Sequence, residues 1–169
     1  MEKLTDRIIT ERLLIRPMTD AELQHLISET TDADLAKAYT EMLDGALKFP
    51  DSRLWYTAWM LSPKEDPETP IGDLCFKGPQ QKGGVEIGYG MKEGYEGHGF
   101  MTEAVKALTG WAFDQKGVRR IFAETVPENR ASQRILEKLG FRPCEGAEAM
   151  GEEGPRFYLE KEDKNDQAR

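Results

Sequence analysis

Gly94, Tyr95, Glu96, Gly97, His98, Gly99 and Phe100 form the segment with the clearest chemical potential in this sequence. They separate a strand-like run ending at Met91 from a strongly helical one beginning at Met101. A helix N-terminus presents unpaired backbone N–H groups and a partial positive charge, so it can hold a pyrophosphate without a basic side chain. Gly97 and Gly99 lack the Cβ that would block the phosphates, and they tolerate the φ values such a turn demands. An ATP-type phosphate loop needs Gly, Lys and Ser or Thr at the helix start, and His98 to Met101 do not supply that order. A dinucleotide fingerprint needs a third glycine where Thr102 stands, and it usually opens a parallel βαβ fold. That leaves coenzyme A. On spacing alone a plain tight turn is the better reading of two glycines, and only the surrounding pattern reverses it.

The elements that must position this turn follow from apolar periodicity. Ile8 to Arg16 reads as a first strand closed by Pro17. Thr19 with Glu22 is a capping box opening a helix whose apolar face is Leu23, Leu26 and Ile27. A second helix is expected from Ala33 to Leu43, with Gly45 as its stop. The tract from Leu54 to Leu61 is aromatic and apolar, and the Pro, Asp and Glu cluster from Ser62 to Pro70 ends it as a hairpin-like connection. Ile71 to Lys77 and Val85 to Met91 are the next strands. Met101, Ala104, Val105, Leu108, Trp111 and Ala112 then fall at steps of three and four, the spacing of an amphipathic helix.

Arg119 to Val126 reads as a further strand, followed by a helix bearing Ala131, Ile135, Leu136 and Leu139 and ended by Gly140. Phe141 to Glu145 and Arg156 to Leu159 close the pattern across a glycine-rich loop. Residues 1–160 are thus expected to form one α/β domain around a mixed sheet, with 161–169 as a charged, disordered tail.

Composition bounds the function. With 169 residues, 38% hydrophobic and 32% charged, the chain has the makeup of a soluble globular domain. Its net charge of −8 argues against nucleic acid as a partner and permits a cationic one. No run suits a membrane span or a signal peptide, so a cytoplasmic monomer or homodimer is expected. Cys75 and Cys144 stand far apart and without histidines at ligand spacing, which points to buried thiols and to no metal.

Val126-Pro-Glu-Asn129-Arg-Ala-Ser132-Gln-Arg-Ile-Leu136-Glu-Lys-Leu-Gly140-Phe141 resembles the Asn-x-x-Ser, then Glu-Lys-x-Gly-Phe signature of GNAT-type N-acetyltransferases. The branch it is most similar to is that of the ribosomal-protein N-terminal acetyltransferases. The glycine turn with Met101, Thr102, Glu103 and Ala104, and the opening Thr10, Glu11, Arg12, Leu13, Arg16 and Pro17, match the same family in the same order. The resemblance implies a mixed, mostly antiparallel sheet splayed at its fourth strand, Val85 to Met91, flanked by helices, with the pantetheine arm of acetyl-CoA in the splay. Tyr89, Gly90, Met91, Gly97, His98, Gly99, Phe100, Met101 and Asn129 would then contact the cofactor. Gly88 and Gly90 fit independently, because strand glycines mark close approach by a ligand or another backbone.

The activity implied is direct acetyl transfer, in a ternary complex, to a primary amine such as a protein N-terminus or a small-molecule amine. A neutral amine is needed, and with α-amines near about 8 and lysines near about 10 a base or water relay must take a proton. Glu86, alternating with Val85 and Ile87, is the first candidate, equally read as a solvated or structural carboxylate; Glu124 is the second, and for it the structural reading is the better one. Many family members protonate the departing thiolate with a tyrosine, but Leu136 holds that position here. Ser132, one turn earlier, takes the part in the resembling branch, although a first-turn serine also bonds backbone. Asn129 is in addition an ordinary N-cap. His98 is assigned no catalytic role, and the covalent route through Cys144 is set aside because the family transfers directly. The competing functional class is a CoA-binding module without transferase activity, suggested by Leu136; a nicotinamide or flavin enzyme would show a coloured or fluorescent cofactor.

Overall fold

The computed structural model describes residues 6–163. Residues 164–169 of the expected disordered tail lie outside them. Among the described residues eight strands form one sheet in the order β1-β2-β3-β4-β5-β6-β8-β7: β1 Ile8–Ile9, β2 Leu13–Pro17, β3 Ala58–Pro63, β4 Gly72–Phe76, β5 Gly84–Met91, β6 Arg120–Glu124, β7 Arg142–Pro143 and β8 Arg156–Glu160. Only β5 and β6 run parallel. The helices are α1 Asp20–Glu29, α2 Ala33–Lys48, α3 Phe100–Phe113 and α4 Arg130–Lys138. The mixed, mostly antiparallel α/β architecture agrees with the expectation.

Alternation along β3 explains the two layers. Trp59 and Leu61 face a large core shared with Leu74, Phe76, Val85, Ile87 and the α3 residues Met101, Val105 and Leu108. Ala58 and Met60 face the opposite side, where Leu23 of α1 and Leu43 of α2 cover them. Every residue from Ala58 to Ser62 is buried, as period-two side chains must be when both faces of a strand are covered.

Three local expectations need correction. The first strand is a hairpin: β1 pairs antiparallel with β2, because Thr10 turns the chain by accepting the Leu13 N–H at its hydroxyl, 3.0 Å away. The splayed strand is therefore the fifth, while its residues are those expected. Second, α2 does not stop at Gly45 but runs to Lys48. Gly45 is a contact residue, since any side chain there would collide with the Tyr56 ring. Third, Pro50–Trp55 is a 3-10 turn, so the aromatic tract begins as a helical corner and becomes strand only at Ala58.

The capping box at α1 is formed: Glu22 N–H donates to the Thr19 hydroxyl (3.2 Å) and Thr19 N–H to the Glu22 carboxylate (3.1 Å). Arg16 donates to both Glu22 oxygens, at 2.8 and 2.7 Å, and this pairing pulls the Glu22 carboxyl down to about 2. A carboxyl depressed on folding stabilises the native state above its unfolded value of roughly 4.3 and loses that contribution as pH falls through the folded one. Urea midpoints of Glu22→Gln are therefore expected to lie below wild type at pH 7 and to converge on it as the pH falls from about 4.5 toward 2. A constant gap across that window would contradict the assignment.

Candidate active site

The site is made by a strand that loses a neighbour. β5 pairs with β4 from Ile87 to Met91, but its pairing with β6 covers only Gly84, Val85 and Glu86. From Ile87 onward the side of β5 facing β6 has no strand partner. A cavity of about 450 Å³ lies there, lined by the end of β5, the glycine turn, the start of α3 and one face of α4. Tyr89, Gly90, Met91, Gly97, Gly99, Phe100, Met101, Asn129 and Ser132 all contribute to its wall. His98 does not. Its backbone carbonyl instead accepts from Arg12 Nη1 at 3.0 Å.

The turn is shaped for an anion. Gly97 and Gly99 hold φ of 81° and 78°, a region where a Cβ is strained. Gly99 is the N-cap of α3 and supplies no side-chain cap. The first bond of the helix runs from Glu103 N–H to the Gly99 carbonyl (3.1 Å), so the N–H groups of Phe100, Met101 and Thr102 have no intrahelical acceptor. Glu103 braces this end from outside. Its carboxylate accepts from the Thr10 hydroxyl (2.5 Å), the Arg12 N–H (3.0 Å) and Arg12 Nε (2.8 Å), and these bonds hold it below the usual carboxylate range against the opposing effect of its desolvation. Arg12 also lies over the Phe100 ring, 4.5 Å from its centroid. Thr10, Arg12 and Glu103 are thus the frame of the turn, a role invisible in sequence because their separation is more than 90 residues.

On α4, Asn129 is the N-cap, accepting the Ser132 N–H at 3.0 Å. The Ser132 hydroxyl shares a 2.8 Å hydrogen bond with the Tyr89 hydroxyl. Arg134 and Lys138 line the same cavity and supply its positive charge. Their i, i+4 spacing was a signal available in the sequence. Leu136 is completely buried in the core and does not line the cavity. The position at which the resemblance implies a tyrosine is therefore buried away from the cavity here.

Glu86 projects from β5 on the face opposite Tyr89, as alternation requires. It meets Lys77 Nζ at 2.7 Å and Arg156 Nε at 3.6 Å, and Arg156 Nε is also 3.9 Å from Glu124. These four side chains, with Glu148, Met150 and Glu152 of the connection between β7 and β8, line a second, more open cavity of about 580 Å³. Glu124 holds that connection: its carboxylate accepts the Glu153 N–H at 3.3 Å, and Gly151 lies so close that any side chain there would collide with it. On the same side of the sheet, Asp73 of β4, opposite Gly90 in register, accepts from the Tyr39 hydroxyl of α2 at 2.6 Å. Desolvation pushes the Cys75 thiol up to about 12 and raises that of Cys144, so neither is a ready nucleophile at neutral pH.

A family model described as the acetyltransferase (GNAT) domain matches residues 12–142, from the turn before β2 through the start of β7. The chain belongs to the GNAT acetyltransferase family. By that membership it is an acetyl-CoA-dependent N-acetyltransferase. It is 34% identical over 87 residues to the uncharacterized N-acetyltransferase YjdG of Bacillus subtilis (strain 168), a match spanning 51% of each chain, so this chain covers about half of that relative. It is 30% identical over 153 residues to the uncharacterized N-acetyltransferase p20 of Bacillus licheniformis, covering 81% of this chain and 83% of that one. A structure of the ribosomal L7/L12 alpha-N-protein acetyltransferase RimL in complex with coenzyme A superposes with a TM-score of 0.69 at 14% identity, over 90% of this chain and 96% of that one.

A Cβ at Gly97 would meet nothing within 4 Å, so the turn presents bare backbone to open space. Among the described residues no helix is long and apolar enough to cross a membrane.

Proposed function

We propose that this GNAT domain transfers acetyl directly from acetyl-CoA to a cationic primary amine, the two substrates meeting at β5 from opposite faces of the sheet. The observation that supports this reading is the pair of cavities on either side of the strand where it parts from β6. The first has a helix N-terminus for the pyrophosphate and Arg134 and Lys138 as further countercharges. The second has Glu86, Glu124, Glu148 and Glu152 against only Lys77 and Arg156, an excess of negative charge that favours an ammonium-bearing acceptor.

In this reading Glu86 is the base. It already binds a primary ammonium, that of Lys77, and an acceptor amine entering the cavity competes for the same carboxylate. The proton taken by Glu86 leaves the neutral nucleophile that attack on the thioester requires. Glu124 acts at one remove by holding Arg156 and the Gly146 to Pro155 connection, and the Ser132 hydroxyl faces the departing sulfur.

A thiol-release assay with acetyl-CoA over polyamines, basic peptides and acidic peptides, each with a free amine, tests the proposal. Basic acceptors are expected to outpace acidic ones. Glu86→Gln is expected to lower kcat/KM on the order of a hundredfold, the lower end of what a positioned base supplies, with CoA affinity unchanged. If CoA binds and no amine in the panel stimulates thiol release, the chain is a CoA-binding module instead.

A further inference from the structure

The Tyr89 hydroxyl has one hydrogen to give, and the Ser132 hydroxyl lies 2.8 Å from it inside the donor cleft. Which way that hydrogen points decides what Ser132 can do. A serine in the first turn of a helix, left alone, turns its O–H onto a nearby backbone carbonyl. Here the Ser132 N–H is already engaged by the Asn129 cap, which fixes the backbone, and the side chain is buried and held by the neighbouring strand. If Tyr89 donates to the serine oxygen, the serine's own hydrogen is released from that bond and free to point into the cleft. Burial raises the Tyr89 phenol from its ordinary value, so it stays protonated and remains a donor throughout the neutral range.

We propose that Tyr89 is a positioning residue that aims the Ser132 O–H at the sulfur of coenzyme A, the pair forming a two-hydroxyl site for the departing thiolate. This inference rests on the placement of the donor proposed above. In the transfer step the amine nitrogen bonds to the acetyl carbon and the carbon–sulfur bond breaks. The electron pair goes to sulfur, where the Ser132 hydrogen bond meets it, and the nitrogen, whose ammonium proton Glu86 took before the attack, gives its second proton to water in the acceptor cavity. The thiolate then takes a proton from water at the open mouth of the cleft. No proton need leave Tyr89, which suits a phenol less acidic than the thiol it serves, whose ordinary value is near about 8.5.

Two independent routes lead to this pair. Tyr89 comes from β5 and Ser132 from α4, elements that approach only because β5 is splayed from β6. And the alternative position for a donor on α4, Leu136, is sealed in the core, so the hydroxyl that α4 offers to the cleft is that of Ser132.

The test needs no amine acceptor. Binding of CoA and of desulfo-CoA is measured by calorimetry from pH 6.5 to 9.5, in wild type, Tyr89→Phe and Ser132→Ala. In wild type the preference for CoA over desulfo-CoA is expected to grow roughly tenfold as the thiol ionises, since one hydrogen bond to a charged acceptor is worth about that factor. In both variants the preference should stay flat, while the affinity for desulfo-CoA itself stays within about twofold of wild type. A merely structural tyrosine would shift both ligands together and leave the pH dependence in place. With an active acceptor, Tyr89→Phe should also lower kcat roughly tenfold relative to wild type at unchanged KM for acetyl-CoA, and the double variant should be no slower than Ser132→Ala. A flat preference in wild type, or an undiminished rise in Tyr89→Phe, overturns the proposal. A chain that binds CoA with the predicted pH dependence yet acetylates nothing would refute the transferase reading and leave this site standing.

Discussion

Gly97→Asp is expected to weaken acetyl-CoA binding about a thousandfold while the protein stays folded. The position has φ of 81°, and aspartate and asparagine tolerate that region better than other side chains. A Cβ there meets no atom within 4 Å, so the substitution fits the apo protein without collision. What changes is the field. The start of α3 offers uncapped N–H groups to an anion, and a carboxylate on the turn both occupies them and repels a pyrophosphate. Losing two charge-assisted hydrogen bonds at roughly 1.5–3 kcal/mol each removes about 4 kcal/mol, or about a thousandfold in Kd. Gly97→Asn separates the contributions, because it has nearly the same size and backbone preference without the charge. Calorimetry with CoA should place it well above the aspartate variant in affinity. Equal losses in the two would mean that the turn does not hold the pyrophosphate.

Trp59→Ala is expected to cost about 4 kcal/mol of stability, within the range for removing a fully buried tryptophan. Trp59 has no exposed surface, and its ring lies 4.9 Å from that of Trp111 on α3, edge to face. Trp111 in turn contacts Trp55, at 5.1 Å, and Phe76, at 5.9 Å. These rings join α3 to β3, β4 and the 3-10 corner, so the cluster fixes the helix whose N-terminus is the proposed donor site. The substitution also strips the Leu54 carbonyl of the indole N–H that reaches it at 3.1 Å. For a domain of this length a loss of that size corresponds to a Tm lower by roughly 8–16 °C. A shift of under about 3 °C by thermal denaturation would show that the cluster is not the brace of α3.

Part of this was legible along the chain because the forces involved are local. The capping box at Thr19 and Glu22, the Asn129 cap, the apolar stripe of α3 and the glycines of the turn each depend on neighbours within one or two helical turns. Pattern reasoning therefore found them. It misread Gly45 as a stop because the reason for that glycine is a ring on another element, Tyr56. It merged β1 with β2 because the Thr10 turn is stabilised in part by Glu103, far along the chain.

The same division runs through the site. The glycine turn, the Asn129 to Ser132 helix start and the carboxylate at Glu86 were determined by the sequence itself, since residue type and spacing suffice to mark a left-handed turn before a helix, a helix cap and an alternating strand face. Which side of β5 each group serves was decided only by the tertiary structure. Folding put Tyr89 against Ser132, closed Leu136 inside the core, bound Glu86 to Lys77 and Arg156, and pinned the turn with Arg12 and Glu103. The physical reason is that a hydrogen bond or ion pair acts over about 3 Å, while these partners lie from nine to more than 90 residues apart, so their meeting is a property of how the sheet is covered and where it splits.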